Sequence, residues 1–257
     1  VAPMTTLLEI KEVSRRYGGL HAVEGFSGHV KRGERVGLIG PNGAGKTTLF
    51  NLITCFTPLS AGRVLFDDAD ISSMKAHQVA RLGVARTFQN LRVMPNLSVF
   101  DNVSISALGI LGHSPLSSLW RRGGHADDVS RRTWEALERT GLDGLGGELA
   151  ANLSYGKRKY LEIARALALS PRLLILDEPA AGLNDTETAD LAKFIRGLAD
   201  EGLSVLLVEH DMNFVMGLCE RIMVMASGRK IADGTLQEIA AAPQVLEAYL
   251  GSEEEDA

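Results

Sequence analysis

Gly40-Pro41-Asn42-Gly43-Ala44-Gly45-Lys46-Thr47-Thr48 fits the pattern G-x-x-x-x-G-K-[ST] at every fixed position. The apolar run Arg35-Val36-Gly37-Leu38-Ile39 before it reads as a short strand, and Thr48 to Thr54 after it reads as the first turns of a helix. That strand–loop–helix order suits a phosphate-binding loop. Glycines at 40, 43 and 45 open backbone angles closed to other residues, so consecutive N–H groups can turn inward. A helix beginning near Gly45 adds unpaired N–H groups and a positive dipole end. Lys46 offers a movable ammonium to the outer phosphates. Thr47 offers a hydroxyl to magnesium, which prefers oxygen donors and shares them with phosphates. Pro41, Asn42, Ala44 and Thr48 complete the binding stretch. A fortuitous glycine-rich turn would not meet so many constraints in this setting.

The chain has 257 residues, enough for one large domain or two small ones with a buried core. Apolar residues make up 45% and charged residues 23%, ordinary for a soluble globular protein. A net charge of −5 argues against nucleic acid as the main partner. Cys55 and Cys219 show no metal-type spacing and read as small buried hydrophobes in a reducing compartment. No apolar run approaches the roughly 18 residues needed to span a bilayer, and no charged-then-apolar leader is present. The expectation is a cytoplasmic chain whose membrane connection comes through a partner.

Upstream of the loop, Leu7 to Arg15 alternates apolar and polar residues, and Ala22 to Val30 reads as a second strand. An antiparallel layer thus precedes the core. Downstream come a strand at Arg63 to Phe66, a turn at Asp67 to Asp70, and a helix from Ser73 to Leu82 capped by Ser72 or Ser73. Val84 to Phe88 reads as a buried strand ending at Gln89. The pattern is then mostly helical to about Arg165, clearest over Phe100 to Leu108, Asp127 to Thr140 and Ser154 to Leu169. Between the first two, Gly109 to Gly124, with Trp120, reads as an exposed loop. Strand and helix then alternate: Leu173 to Leu176, Glu187 to Asp200, Ser204 to Val208, Asp211 to Cys219, Ile222 to Ala226 and Arg229 to Ala232. Leu236 to Leu250 supplies one or two terminal helices, and Glu253 to Asp256 an acidic tail. Continuously apolar strands imply a parallel sheet covered on both faces, an α/β architecture.

The strand Leu173 to Leu176 ends in Asp177 and Glu178. A carboxylate at such a strand's end lies beside the phosphate loop. Asp177 suits holding magnesium through water, and Glu178 suits polarising an attacking water.

Leu153-Ser154-Tyr155-Gly156-Lys157, opening a helix ahead of that strand, resembles the LSGGQ signature of ABC-type ATPases. The resemblance extends over nearly the full length. It implies that Tyr17 stacks on adenine and that Gln89 senses magnesium and touches a transport partner. It implies that Ala180-Ala181-Gly182-Leu183-Asn184 crosses to a second subunit, and that His210 is the switch histidine on the terminal phosphate. It also implies one domain over 1–257: a phosphate-loop NTPase core, an N-terminal antiparallel β subdomain and a helical subdomain inserted at about 91–165. ATP would lie between two subunits, with Ser154 and Gly156 of the partner closing over the nucleotide.

Within that family the chain looks like the ATPases of branched-chain (hydrophobic) amino-acid uptake. The residues that carry this are Ala85-Arg86-Thr87-Phe88-Gln89-Asn90, Tyr155-Gly156, Glu178-Pro179-Ala180-Ala181-Gly182-Leu183-Asn184, Val208-Glu209-His210-Asp211-Met212 and Ala248-Tyr249-Leu250-Gly251. The implied partners are a sister ATPase chain, two membrane permeases and, indirectly, a solute-binding protein, with the chain on the inner face of the membrane. Urea and short-amide importers and lipopolysaccharide exporters use similar ATPases. A soluble ABC ATPase for DNA or ribosomes expects a coiled-coil insertion or tandem domains, and a non-catalytic scaffold expects Glu178 or His210 to be lost. Tyr155, Lys157 and Asn184 depart from the general family pattern; Lys157 is the least expected.

Overall fold

The computed structural model describes residues 5–89, 91–110 and 124–253. Asn90, Trp120 with most of the expected 109–124 loop, and the acidic residues after Glu253 lie outside the described residues.

β1 (Thr6–Tyr17) and β2 (Leu20–Lys31) form a hairpin across Gly18-Gly19. With β4 (Ala61–Phe66) and β5 (Ala69–Asp70) they make a four-stranded antiparallel sheet, ordered β2-β1-β4-β5. The larger sheet is built on β3 (Arg35–Ile39), flanked in parallel by β8 (Ser204–Val208) and β9 (Arg221–Ala226). β7 (Leu173–Asp177) and β6 (Val84–Arg86) extend one side in parallel; β10 (Arg229–Gly234) closes the other antiparallel.

Why the inner strands are apolar without alternation is visible in their packing. Leu174, Leu176, Val205 and Leu207 point to one core, with α3 (Val99–Ile110), α4 (Gly124–Arg139), α5 (Tyr155–Leu167), α6 (Asp185–Asp200) and α7 (Met212–Leu218). Leu173, Ile175, Leu206 and Val208 point to a second core shared with α1 (Lys46–Ile53) and the antiparallel sheet, where Phe26, Phe50 and Phe66 are fully buried. A strand covered on both faces needs apolar residues at both parities.

Several boundaries differ from the sequence expectation. The helix expected from Ser73 is α2 (Ala76–Arg81), and neither Ser72 nor Ser73 caps it. The Ser72 hydroxyl instead accepts from Val64 N–H, and Gln78 Oε1 accepts from Lys75 N–H at the helix start. A serine committed to a strand is lost to capping. β6 stops at Arg86 because the Phe88 N–H leaves the ladder for Glu162 Oε1, 3.1 Å away. Part of the expected turn at 67–70 is β5; the turn itself is Asp67-Asp68, both at positive φ. α3 continues to Ile110, past the expected loop start, and α6 begins at Asp185 behind an Asn184 cap. The terminal helices are two, α8 (Leu236–Ala240) and α9 (Pro243–Glu253). Cys55 and Cys219 are free and only partly buried as residues; burial pushes the Cys219 thiol up to about 12.

Candidate functional site

The phosphate-loop stretch leaves the C-terminal end of β3 and enters α1. Gly40 and Gly45 are required by close packing as well as by backbone angle. A Cβ at Gly40 (φ +153°) would lie 2.0 Å from the Met225 carbonyl oxygen; one at Gly45 (φ +99°) would lie 2.3 Å from that of Ala22. Gly43 (φ +77°) meets nothing within 4 Å, so its requirement is conformational alone. α5, α6 and α7 are capped by the side chains of Ser154, Asn184 and Asp211, whereas α1 has no side-chain cap. Its leading N–H groups are therefore uncommitted to a side chain, and Gly45 to Thr48 line a cleft of about 900 Å³.

Lys46 is buried, and its Nζ donates to the carbonyls of Gly40 (2.7 Å) and Pro41 (2.9 Å). Burial pushes its pKa below the ordinary lysine value, partly offset by the nearby carboxylates of Glu178 and Asp177. Glu178 directly follows β7, at φ +50°, and lines the cleft. Gln89 Nε2 donates to its Oε2 at 2.8 Å, and His210 Nε2 lies 2.9 Å from Oε1. Tyr17, at the tip of the β1–β2 hairpin, is half exposed at the cleft mouth, with the Arg15 guanidinium 4.6 Å from its ring centroid.

Asp177 is not open to the main cleft. Its Oδ2 accepts from Arg86 Nη2 at 2.7 Å, and both side chains are 4% exposed. Together they line a neighbouring pocket with Thr47, Gln89 and Phe88. Ser154 and Gly156 are absent from both pockets. The chain thus brings Tyr17, the loop, Gln89, Glu178 and His210 together, and leaves its signature elsewhere.

Three positioning residues were missed by motif reading. Glu209, buried, accepts from Ala180 N–H (2.7 Å) and from His210 N–H (3.0 Å). Burial raises its pKa, opposed by these backbone donors. Lys159, buried on α5, donates Nζ to the Glu178 carbonyl at 3.2 Å. Arg86 is the third. For Arg86 and Glu209 the available signal was a charge adjoining an apolar run; Lys159 follows Lys157 and Arg158, so it reads as part of a solvated helix face, yet the structure buries it.

The cleft fits a nucleotide's phosphates by its uncapped helix start and its buried ammonium. The donor set near Thr47 fits magnesium: hydroxyl, amide and carboxylate oxygens, hard ligands of the kind it prefers. Among the described residues no group of three or more His, Cys, Asp or Glu could hold a metal by itself. A divalent ion here would share phosphate oxygens and water.

The ABC transporter family profile matches residues 23–181, and that of the branched-chain amino acid ATP-binding cassette transporter matches residues 229–255. The chain is 40% identical over 251 residues to the high-affinity branched-chain amino acid transport ATP-binding protein BraF of Pseudomonas aeruginosa, covering 95% of this chain and 98% of that protein. Identity and coverage are the same for LivG of Escherichia coli K12, which bears the same description. The lipopolysaccharide export ATP-binding protein LptB of E. coli K12 is 37% identical, with 96% and 98% covered. Among solved structures, a nucleotide-free ATP-binding cassette from an ABC transporter superposes with TM-score 0.84 at 30% identity, covering 95% of this chain and 99% of that one. An ADP-bound cassette gives 0.84 at 31% identity, covering 96% and 99%.

Proposed function

The chain belongs to the ABC transporter ATPases, and from that premise we propose that it is the ATP-hydrolysing subunit of an importer for branched-chain amino acids. The observation that carries the reading is the convergence of Gln89, Glu178 and His210 on the cleft lined by Lys46 and Thr47. The branched-chain profile on residues 229–255 favours amino-acid import over lipopolysaccharide export. ABC ATPases bind ATP and work with membrane permeases. Among the described residues no helix is long and apolar enough to cross a membrane, which accords with such dependence.

In this reading Lys46 moves from its own loop carbonyls to the phosphates, and the α1 amides receive the anion. Tyr17 packs on the base. Glu178 orients and deprotonates the attacking water, with Gln89 and His210 fixing its two oxygens in the meantime. Thr47, Gln89 and Asp177 would hold magnesium, which supplies charge neutralisation between the phosphates. Ser154 and Gly156 act on a nucleotide held by another ATPase chain, with a non-identical sister preferred as partner. The helices within 91–165 form the insert that meets the permeases.

The test is reconstitution with two permeases and a sister ATPase in vesicles, measuring ATP-driven leucine, isoleucine and valine uptake. Uptake of urea or short amides instead would move the cargo; ATP turnover with no uptake of either would remove the importer reading.

A further inference from the structure

Arg86 is a buried cation that the proposed chemistry does not use. Its Nη1 donates to Asn51 Oδ1 on α1 (2.7 Å) and its Nη2 to Asp177 Oδ2 (2.7 Å). Its guanidinium carbon lies 5.4 Å from the Phe50 ring centroid and 5.0 Å from that of Phe88. Its Nε is buried without a partner among the described residues. Such a group is costly to bury and strongly fixed by its partners. It spans the phosphate-loop helix, the strand leading to Gln89 and the end of β7.

We propose that Arg86 is a positioning residue that sets how tightly the nucleotide-loaded site takes a divalent cation. It occupies one oxygen of Asp177, leaves Oδ1 outside the pair, and neutralises a carboxylate that would otherwise attract the ion at full charge. A guanidinium and a divalent ion attracted to one carboxylate compete. This rests on reading the cleft as an ATP site.

The experiment measures equilibrium binding of a fluorescent ATP analogue to the full chain, first in EDTA and then across a Mg²⁺ titration. The variants are Arg86→Met, which keeps length between the two rings, and Arg86→Lys, which keeps charge. In Arg86→Met the half-saturating Mg²⁺ should fall about tenfold or more, the scale of removing one like charge a few ångströms from a divalent ion even when the pair is screened as strongly as in bulk water. In Arg86→Lys it should stay within about twofold, and metal-free affinity should hold in both, as charge near the ion rather than packing sets the effect. Asn51→Leu tests the same idea where Arg86→Met does not fold. Freed from α1, the fork of Arg86 can turn wholly onto Asp177, and half-saturating Mg²⁺ should rise severalfold. An unchanged or weakened Mg²⁺ response in Arg86→Met overturns the proposal, as does an unchanged response in Asn51→Leu. Failure of the unaltered chain to bind nucleotide at all would instead sink the ATP-site reading itself.

Discussion

The starts of α1 and α5 are the two helix N-termini to which the proposed function assigns phosphate, yet they are built in opposite ways. α1 opens behind a left-handed Gly45 with no side-chain cap, beside a buried Lys46. α5 opens behind Ser154, whose own hydroxyl accepts from Lys157 N–H at 3.3 Å, and it presents Tyr155 to solvent. The first is preorganised by the fold around it, with glycine positions closed by Met225 and Ala22 backbone oxygens. The second touches its own chain mainly through residues 181–187: Tyr155 Oη donates to the Ala181 carbonyl, and a Cβ at Gly156 would meet Glu187 Oε1 at 2.8 Å. One helix start is completed within the chain. The other lies apart: among the described residues Ser154 and Gly156 line neither the nucleotide cleft nor the pocket beside it, as the proposed sharing of a site between two chains requires.

The sharpest break between the two ends is expected at Glu178. Glu178→Gln should lower turnover in the assembled transporter by roughly 10²–10⁴ while nucleotide affinity stays near its original value. Unchanged turnover would take Glu178 out of the base role. Lys46→Ala comes next. Loss of a charged hydrogen-bond donor to phosphate should weaken ATP binding by roughly 10- to 100-fold in the isolated chain. Since burial lowers the Lys46 pKa, its proton is lost below the ordinary lysine value, so metal-free affinity should begin to fall with rising pH before an unperturbed lysine near 10.4 titrates. A flat profile through that region would show that the ammonium is not the contact.

At α5 the expectation reverses. Ser154→Ala should leave nucleotide affinity of the isolated chain unchanged, cost about 1 kcal/mol in thermal or urea unfolding as a lost helix cap, and reduce turnover only with the partner ATPase present. Weakened binding in the isolated chain would mean that the two helix starts do not divide the labour between subunits.

This division explains what could be read in advance. The α1 end was legible because its chemistry is local: the glycines, Lys46 and Thr47 lie in one short stretch. The acidic pair at β7 was legible because a strand end places it. Tertiary substitutions were not. Nothing in the wording around Arg86 shows that it would neutralise Asp177, a residue far along the chain. Nothing near Glu209 shows that it would bind the Ala180 N–H. Ser72 looked like a cap until β4 claimed its hydroxyl. Motifs report side chains that meet a ligand. They are silent on side chains that meet each other.

The smallest expected effect tests whether the signature end is tied to residues 181–183 or merely beside them. The Tyr155 ring packs on Gly182 (φ +80°), where an added Cβ would lie 2.9 Å from Cε1. Its hydroxyl donates to Ala181 O at 3.2 Å, and Lys159 Nζ lies 5.6 Å from the ring centroid while holding the Glu178 carbonyl. Tyr155→Phe keeps the ring and removes one half-exposed hydrogen bond, so stability should fall by only about 0.5 kcal/mol. Tyr155→Gly removes the ring as well, and the amides of Ala181, Gly182 and Leu183 should then exchange faster with solvent deuterium, while those of Lys46 to Thr48 keep their rates. Equal exchange at 181–183 in the tyrosine and glycine forms would mean that Tyr155 covers the crossing loop without holding it. Signature and crossing loop would then move independently when a second chain closes on them.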